Sequence, residues 1–144
     1  MIKNALILIV ALIILGCNNK SSKDSHEKIG ELKNTKWIHQ PFKEYKDCID
    51  TLTFLTESHG VNYSCEHEFH DSIVYEINND TLFIEKFGYA SEVESDQELV
   101  VMSKYKLIGL KGDLKMVDIK HRNNDFFNSV DPKFIVGKTF KKIK

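Results

Sequence analysis

From residue 50 onward, apolar positions recur at every second residue in short runs separated by turn-forming residues. A period of two marks half-buried strands rather than helices. In Asp50-Thr51-Leu52-Thr53-Phe54, Leu52 and Phe54 share a face, and Val61, Tyr63 and Cys65 alternate in the same way after the turn Glu57-Ser58-His59-Gly60. Pairing the two runs with Leu52 opposite Val61 predicts a hairpin, and that register sets Cys48 opposite Cys65. A second hairpin is predicted from Ile73, Tyr75 and Ile77 through Asn78-Asn79-Asp80 into Thr81 to Phe87, because Asn and Asp tolerate the left-handed conformations of tight turns. A third runs from Leu99 to Leu110, turns at Lys111-Gly112-Asp113 and returns from Leu114 to Lys120, with Val117 and Ile119 expected on one face. Residues 134–136 and 139–143 supply short terminal strands, and Phe126, Phe127 and Val130 leave room for one helical turn before Pro132. With a strand at Trp37, the pattern predicts an all-β fold, a small antiparallel up-and-down barrel of about eight strands. Closure of such a sheet removes its exposed edges.

The start of the chain departs from this pattern. One positive charge, Lys3, precedes an uninterrupted apolar run from Ala5 to Leu15, closed by Gly16 and Cys17. A membrane-spanning helix needs roughly 20 apolar residues, so the run is short for a span and has the length of a signal-peptide core. Ile14-Leu15-Gly16-Cys17 resembles the lipobox of bacterial lipoproteins. That resemblance implies a signal peptide over residues 1–16, cleavage after Gly16, and lipid attachment at Cys17. Two or three acyl chains, at about 0.8 kcal/mol per buried CH2, would hold the protein on a membrane. Residues 17–30 are then expected to be a lipidated flexible tether, since Asn18 to Lys28 has no large apolar residue, and residues 31–144 form the barrel domain. The absence of an acidic residue directly after Cys17 favours the outer membrane of a diderm cell envelope.

Composition narrows the partners. Removing Lys3 with the leader leaves 19 basic against 21 acidic residues. Such a balance provides no basic footprint for nucleic acid. Export places Cys48 and Cys65 in an oxidising compartment, where a pair tends to close as a disulfide, and the hairpin register agrees with that pairing.

Leu32-Lys33-Asn34-Thr35-Lys36-Trp37 resembles the leucine, spacer, tryptophan opening of lipocalin-like barrels, and Tyr75 to Leu82 and Tyr105 to Ile108 resemble the repeated hairpins of small lipocalin-like lipoproteins. Asn34 stands where those families usually have glycine, and Gly112-Asp113-Leu114 keeps only part of their turn motif. The resemblance covers about residues 32–143 and implies a barrel able to hold a small ligand.

Trp37, Phe54, Tyr63, Tyr75 and Tyr105 fall on the apolar sides of their runs and are expected to face the barrel interior, which in eight strands is either filled or holds one small molecule. Glu66-His67-Glu68-Phe69-His70-Asp71, with His59 nearby, carries metal-ligand side chains, but in a strand His67 and His70 point to opposite faces, so no metal site or other cofactor is expected. Glu92, Glu94, Asp96 and Glu98 form an acidic stretch suited to a solvated loop or a cationic partner. No nucleophile stands beside a base in a recognisable motif, so no enzymatic activity is expected. Two readings follow. The first is a lipid-anchored module binding a small hydrophobic or amphipathic ligand. The second is a protein-interaction lipoprotein, an envelope accessory or enzyme inhibitor, with a filled core.

Overall fold

The computed structural model describes residues 26–89, 98–124, 126–135 and 137–143. The strands are β1 (Thr35–His39), β2 (Asp50–Phe54), β3 (His59–Ser64), β4 (Phe69–Asn78), β5 (Thr81–Tyr89), β6 (Leu99–Leu110), β7 (Asp113–Asn123), β8 (Phe126–Ser129) and β9 (Thr139–Ile143), with a 3-10 turn at Pro132–Phe134. Each of β1 to β7 pairs antiparallel with the next, and β9 pairs with both β7 and β1. The result is a closed eight-stranded antiparallel barrel, with β8 as an additional strand on the far end of β7. The signal peptide, Cys17 and the start of the tether lie outside the described residues, as do Glu92, Glu94 and Asp96.

Turn chemistry accounts for the tight connections. Lys111 and Gly112 have φ of +53° and +80° between β6 and β7, the pair of left-handed residues whose twist matches the flanking strands. Asn79 adopts +56° between β4 and β5, and Asn34 adopts +57° before β1. Asparagine can therefore replace glycine ahead of Trp37, because its short polar side chain tolerates this backbone region.

Several expectations are corrected. Leu52 pairs with Asn62, and Val61 pairs with Thr53, one residue away from the register expected. Since side chains alternate with a period of two, this slip turns Gly60 and Asn62 inward and Val61 and Tyr63 outward. Gly60 is needed there: a Cβ would lie 2.3 Å from the Thr53 carbonyl oxygen. The disulfide forms nonetheless, with Cys48 and Cys65 just beyond the paired strands and their Cα atoms 5.2 Å apart. Val117 and Ile119 do not share an environment, because a bulge places Lys106 opposite Asp118 but Leu107 opposite Met116. Val117 is consequently exposed and Ile119 buried. Phe126 and Phe127 are in β8 rather than a helical turn, and Phe134 lies in the 3-10 turn rather than a strand. Residue 136 lies outside the described residues.

Residues 26–30, expected within the tether, are packed against the barrel. The Glu27 and Ile29 amides donate to Gly109 and Asn79 carbonyls at 2.9 and 3.0 Å. Ile29 and Leu32 are buried beneath the barrel floor and join a core of Trp37, Leu52, Phe54, Ile73, Tyr75, Leu82, Ile84, Leu107 and Leu114. This apolar plug closes one end of the barrel.

Candidate functional site

Following each strand inward shows that the barrel interior has two layers. On β2 the inward residues run from Phe54 and Leu52 to Asp50, and on β3 from Gly60 to Asn62 and Ser64. On β4 they run from Tyr75 and Ile73 to Asp71, and on β5 from Leu82 and Ile84 to Lys86. On β6 they run from Leu107 through Tyr105 to Ser103, and on β7 from Ile119 to His121. The apolar layer lies over the plug and is filled. The polar layer lies towards the opposite end, where a cavity of about 540 Å3 opens. That volume falls within the range of small-molecule sites.

The cavity has two unlike walls. Asp50, Asn62, Ser64, Lys86 and Tyr105 come from β2, β3, β5 and β6, whereas Met116, Ile119, Phe134 and Phe140 come from β7, the 3-10 turn and β9. The second wall exists because the segment between β8 and β9 straps the open flank of β7. Val130 donates its amide to the Ile119 carbonyl at 2.8 Å, and the Met116 amide donates to the Lys138 carbonyl at 2.9 Å. Asp131 caps the 3-10 turn within this strap by accepting from the Lys133 amide at 3.0 Å.

Two polar pairs, Asp71 with Lys86 and Ser103 with His121, lie across four neighbouring strands behind the first wall. The Lys86 ammonium donates to Asp71 at 3.0 Å, and Tyr105 lies beside it on the same wall. On the neighbouring strands Ser103 Oγ lies 2.8 Å from His121 Nδ1. Register explains the arrangement, because Lys86, Ser103 and His121 are directly opposed across β5, β6 and β7. Asp71 and Ser103 are buried, and neither lines the cavity, whereas Lys86, Tyr105 and His121 do.

The electrostatics follow from this placement. Burial opposes the charged form of Lys86, but its neighbours, the Asp71 carboxylate at 3.0 Å among them, outweigh it and hold its pKa above the ordinary lysine value. Burial raises the Tyr105 phenol, so it stays neutral and available as a donor. His121 is pushed below the ordinary histidine value by partial burial, then by Lys86 and Lys138. It is therefore a neutral imidazole at pH 7.

Of the five aromatics expected to line a ligand site, only Tyr105 lines this cavity. Trp37, Phe54 and Tyr75 are buried in the filled layer, where Phe54 and Tyr75 pack edge to face at 4.7 Å. Trp37 donates to Thr35 Oγ1 at 2.9 Å, and Tyr75 donates its hydroxyl to the Thr56 carbonyl. Tyr63, expected inside, is outside the barrel against His70, with ring centroids 4.7 Å apart. His59 bonds Ser58 at the other end of the barrel, and among the described residues no three His, Cys, Asp or Glu side chains gather to hold a metal. Reading the sequence overlooked Lys86, Ser103, His121 and Lys138, and weighed Asp71 only as a metal ligand in the cluster with His67 and His70. Alternation carried a signal for most of them, because Lys86 continues the Leu82, Ile84 series and Asp71 precedes Ile73 and Tyr75 by the same step.

Comparison with known proteins yields no matching family model, no matching curated protein and no matching solved structure.

Proposed function

We propose that this protein is a lipid-anchored, lipocalin-like binding module of the cell envelope, held at the outer membrane of a diderm bacterium through Cys17, that takes one small amphipathic molecule into the barrel mouth. The observation carrying this reading is the cavity of about 540 Å3 with one polar and one apolar wall above a closed core. An amphipathic ligand can satisfy both walls at once, whereas a purely hydrophobic one would strip solvent from Asn62 and from the Lys86 donors that Asp71 does not meet. Catalysis does not belong to the proposal: Ser103, although bonded to His121, is 3 % exposed and does not line the cavity. Its role is to orient the imidazole.

Mass spectrometry of the chain extracted from its own envelope tests both parts. Under denaturing conditions the mature chain is expected to begin at Cys17 and carry acyl increments. Under native conditions one additional small molecule per chain is expected, released by organic solvent. An unacylated chain would remove the anchor, and an empty barrel that also accepts no amphiphile would remove the binding function.

A second reading rests on a different observation. Phe42, Tyr45, Phe69, Tyr89, Leu99, Phe126 and Phe134 are all exposed, and all belong to loops or strand ends at the mouth. Such a concentration of apolar surface suits a protein partner docking over the opening. Crosslinking in intact envelopes would favour this reading if it captured one stoichiometric protein at Phe126 or Tyr45, and would count against it if only random neighbours appeared.

A further inference from the structure

The charged groups around the cavity are not evenly spread. Lys86, His121 and Lys138 all line the cavity: register sets Lys86 and His121 on either side of Ser103, and the backbone of Lys138 is bonded to Met116 on the same strand as His121, so two ammonium groups and one neutral ring face the same opening. The carboxylate that pairs with Lys86 belongs to Asp71, which lies behind the cavity surface. An ammonium carries three donors, so Lys86 keeps donors for the cavity after meeting Asp71. Lys138 makes no ion pair among the described residues. Two acidic groups also line the cavity, Asp50 on the wall that carries Lys86 and Tyr105, and Glu66 at the rim. Asp50 already accepts the Cys65 amide at 3.0 Å, and Glu66 lies in the exposed turn between β3 and β4. Directly beside the cationic side is the apolar wall of Met116, Ile119 and Phe140.

We propose that the ligand is an anionic amphiphile, with a carboxylate-type head group held by Lys86, Lys138 and His121 and its apolar body lying against Met116, Ile119 and Phe140. This inference rests on the ligand-binding reading above and specifies the charge and orientation of what is bound. A carboxylate or a phosphate monoester would meet the same donors, since both accept charge-assisted hydrogen bonds from ammonium groups. A cationic head would face two like charges. A neutral head could accept a hydrogen bond from Lys138 but would leave the ammonium charge uncompensated in a partly desolvated site.

A matched series of soluble probes separates the outcomes: 4-phenylbutyrate, 4-phenylbutyl phosphate, 4-phenylbutanol and 4-phenylbutylamine, titrated calorimetrically into the full chain in lipid nanodiscs, with empty nanodiscs as the blank. The carboxylate or the phosphate should bind at least tenfold more tightly than the alcohol, and the amine should bind weakest. Lys138→Met keeps the aliphatic stem, and the Lys138 side chain makes no bond that the fold depends on. It should reduce the tightness of the anion to within about threefold of the alcohol, so that the preference for the anion is lost. Equal binding of alcohol and anion, or stronger binding of the amine, would overturn the anionic assignment while leaving a ligand site in place. An anion preference unchanged in Lys138→Met would overturn the location. If no member of the series binds above the blank, the ligand-binding reading fails with it.

Discussion

At the scale of single residues, the interior layer nearest the mouth depends on polar groups satisfying one another. His121 illustrates the energetic consequence. Its pKa is held below the ordinary value of 6.5, first by burial and then by Lys86 and Lys138. The unfolded chain therefore binds this proton more readily than the folded one, and stability falls as pH drops below about 6.5, levelling off once pH is under the folded value. Urea unfolding midpoints should be lower at pH 5.5 than at pH 7.5, and His121→Gln should flatten that difference. Parallel pH profiles for wild type and variant would contradict the assignment. Asp80, held below the usual carboxylate range by Thr81 and then His26, contributes only at more acidic pH, so the two effects separate along the pH axis. The polar layer was only partly legible beforehand. Alternation sets which way Lys86 and Asp71 point, but a charged side chain reads as outward unless its partner is known. Here the partners lie on different strands.

At the scale of elements, glycine decides two close approaches. Gly60 lets β3 lie against β2. Because its absence of a side chain hides it from a hydrophobic pattern, the alternation Val61, Tyr63, Cys65 suggested the wrong face. Gly109 lets the N-terminal segment cross the barrel floor: a Cβ there would stand 2.3 Å from the Glu27 carbonyl oxygen. Gly109→Ala should therefore lift residues 26–30 off the floor while leaving β6 paired with β7. Loss of the Glu27 and Ile29 amide bonds and of Ile29 burial should cost about 2–3 kcal/mol. Hydrogen exchange checks this directly: the Glu27 and Ile29 amides should exchange much faster in the variant, with Leu107 still protected. Unchanged protection of Ile29 would show that the segment is held by something other than this approach.

At the scale of the whole molecule, the barrel closes through contacts distant in sequence, as when β9 returns to lie between β7 and β1. The Cys48–Cys65 disulfide spans 17 positions and ties the long β1–β2 connection to the β3–β4 turn at the mouth. In the chain-entropy model a closed loop of this size contributes roughly 3 kcal/mol by restricting the unfolded chain. The double variant Cys48→Ala, Cys65→Ala should lose about that much in denaturant unfolding and should fold to the same barrel, because neither cysteine belongs to the core. A loss below about 1 kcal/mol would mean that the mouth loops are already fixed by their other contacts.

Local information sufficed for some of this protein. Period-two alternation and the Asn and Gly turns determine that the chain makes antiparallel hairpins, because a strand's side-chain direction and a turn's left-handed residues are properties of neighbouring positions. The β6 and β7 hairpin was legible for that reason, while the pairing of Cys48 with Cys65 was legible because they are the two cysteines other than Cys17. Only the tertiary structure decided the register of β2 with β3, the bulge beside Val117, the strap over β7 and the plug of residues 26–32. Each of these depends on which distant backbone atoms meet, as Gly60 meets Thr53 and Gly109 meets Glu27. The site belongs to that second kind: Lys86, His121 and Lys138 come together only once the barrel has closed.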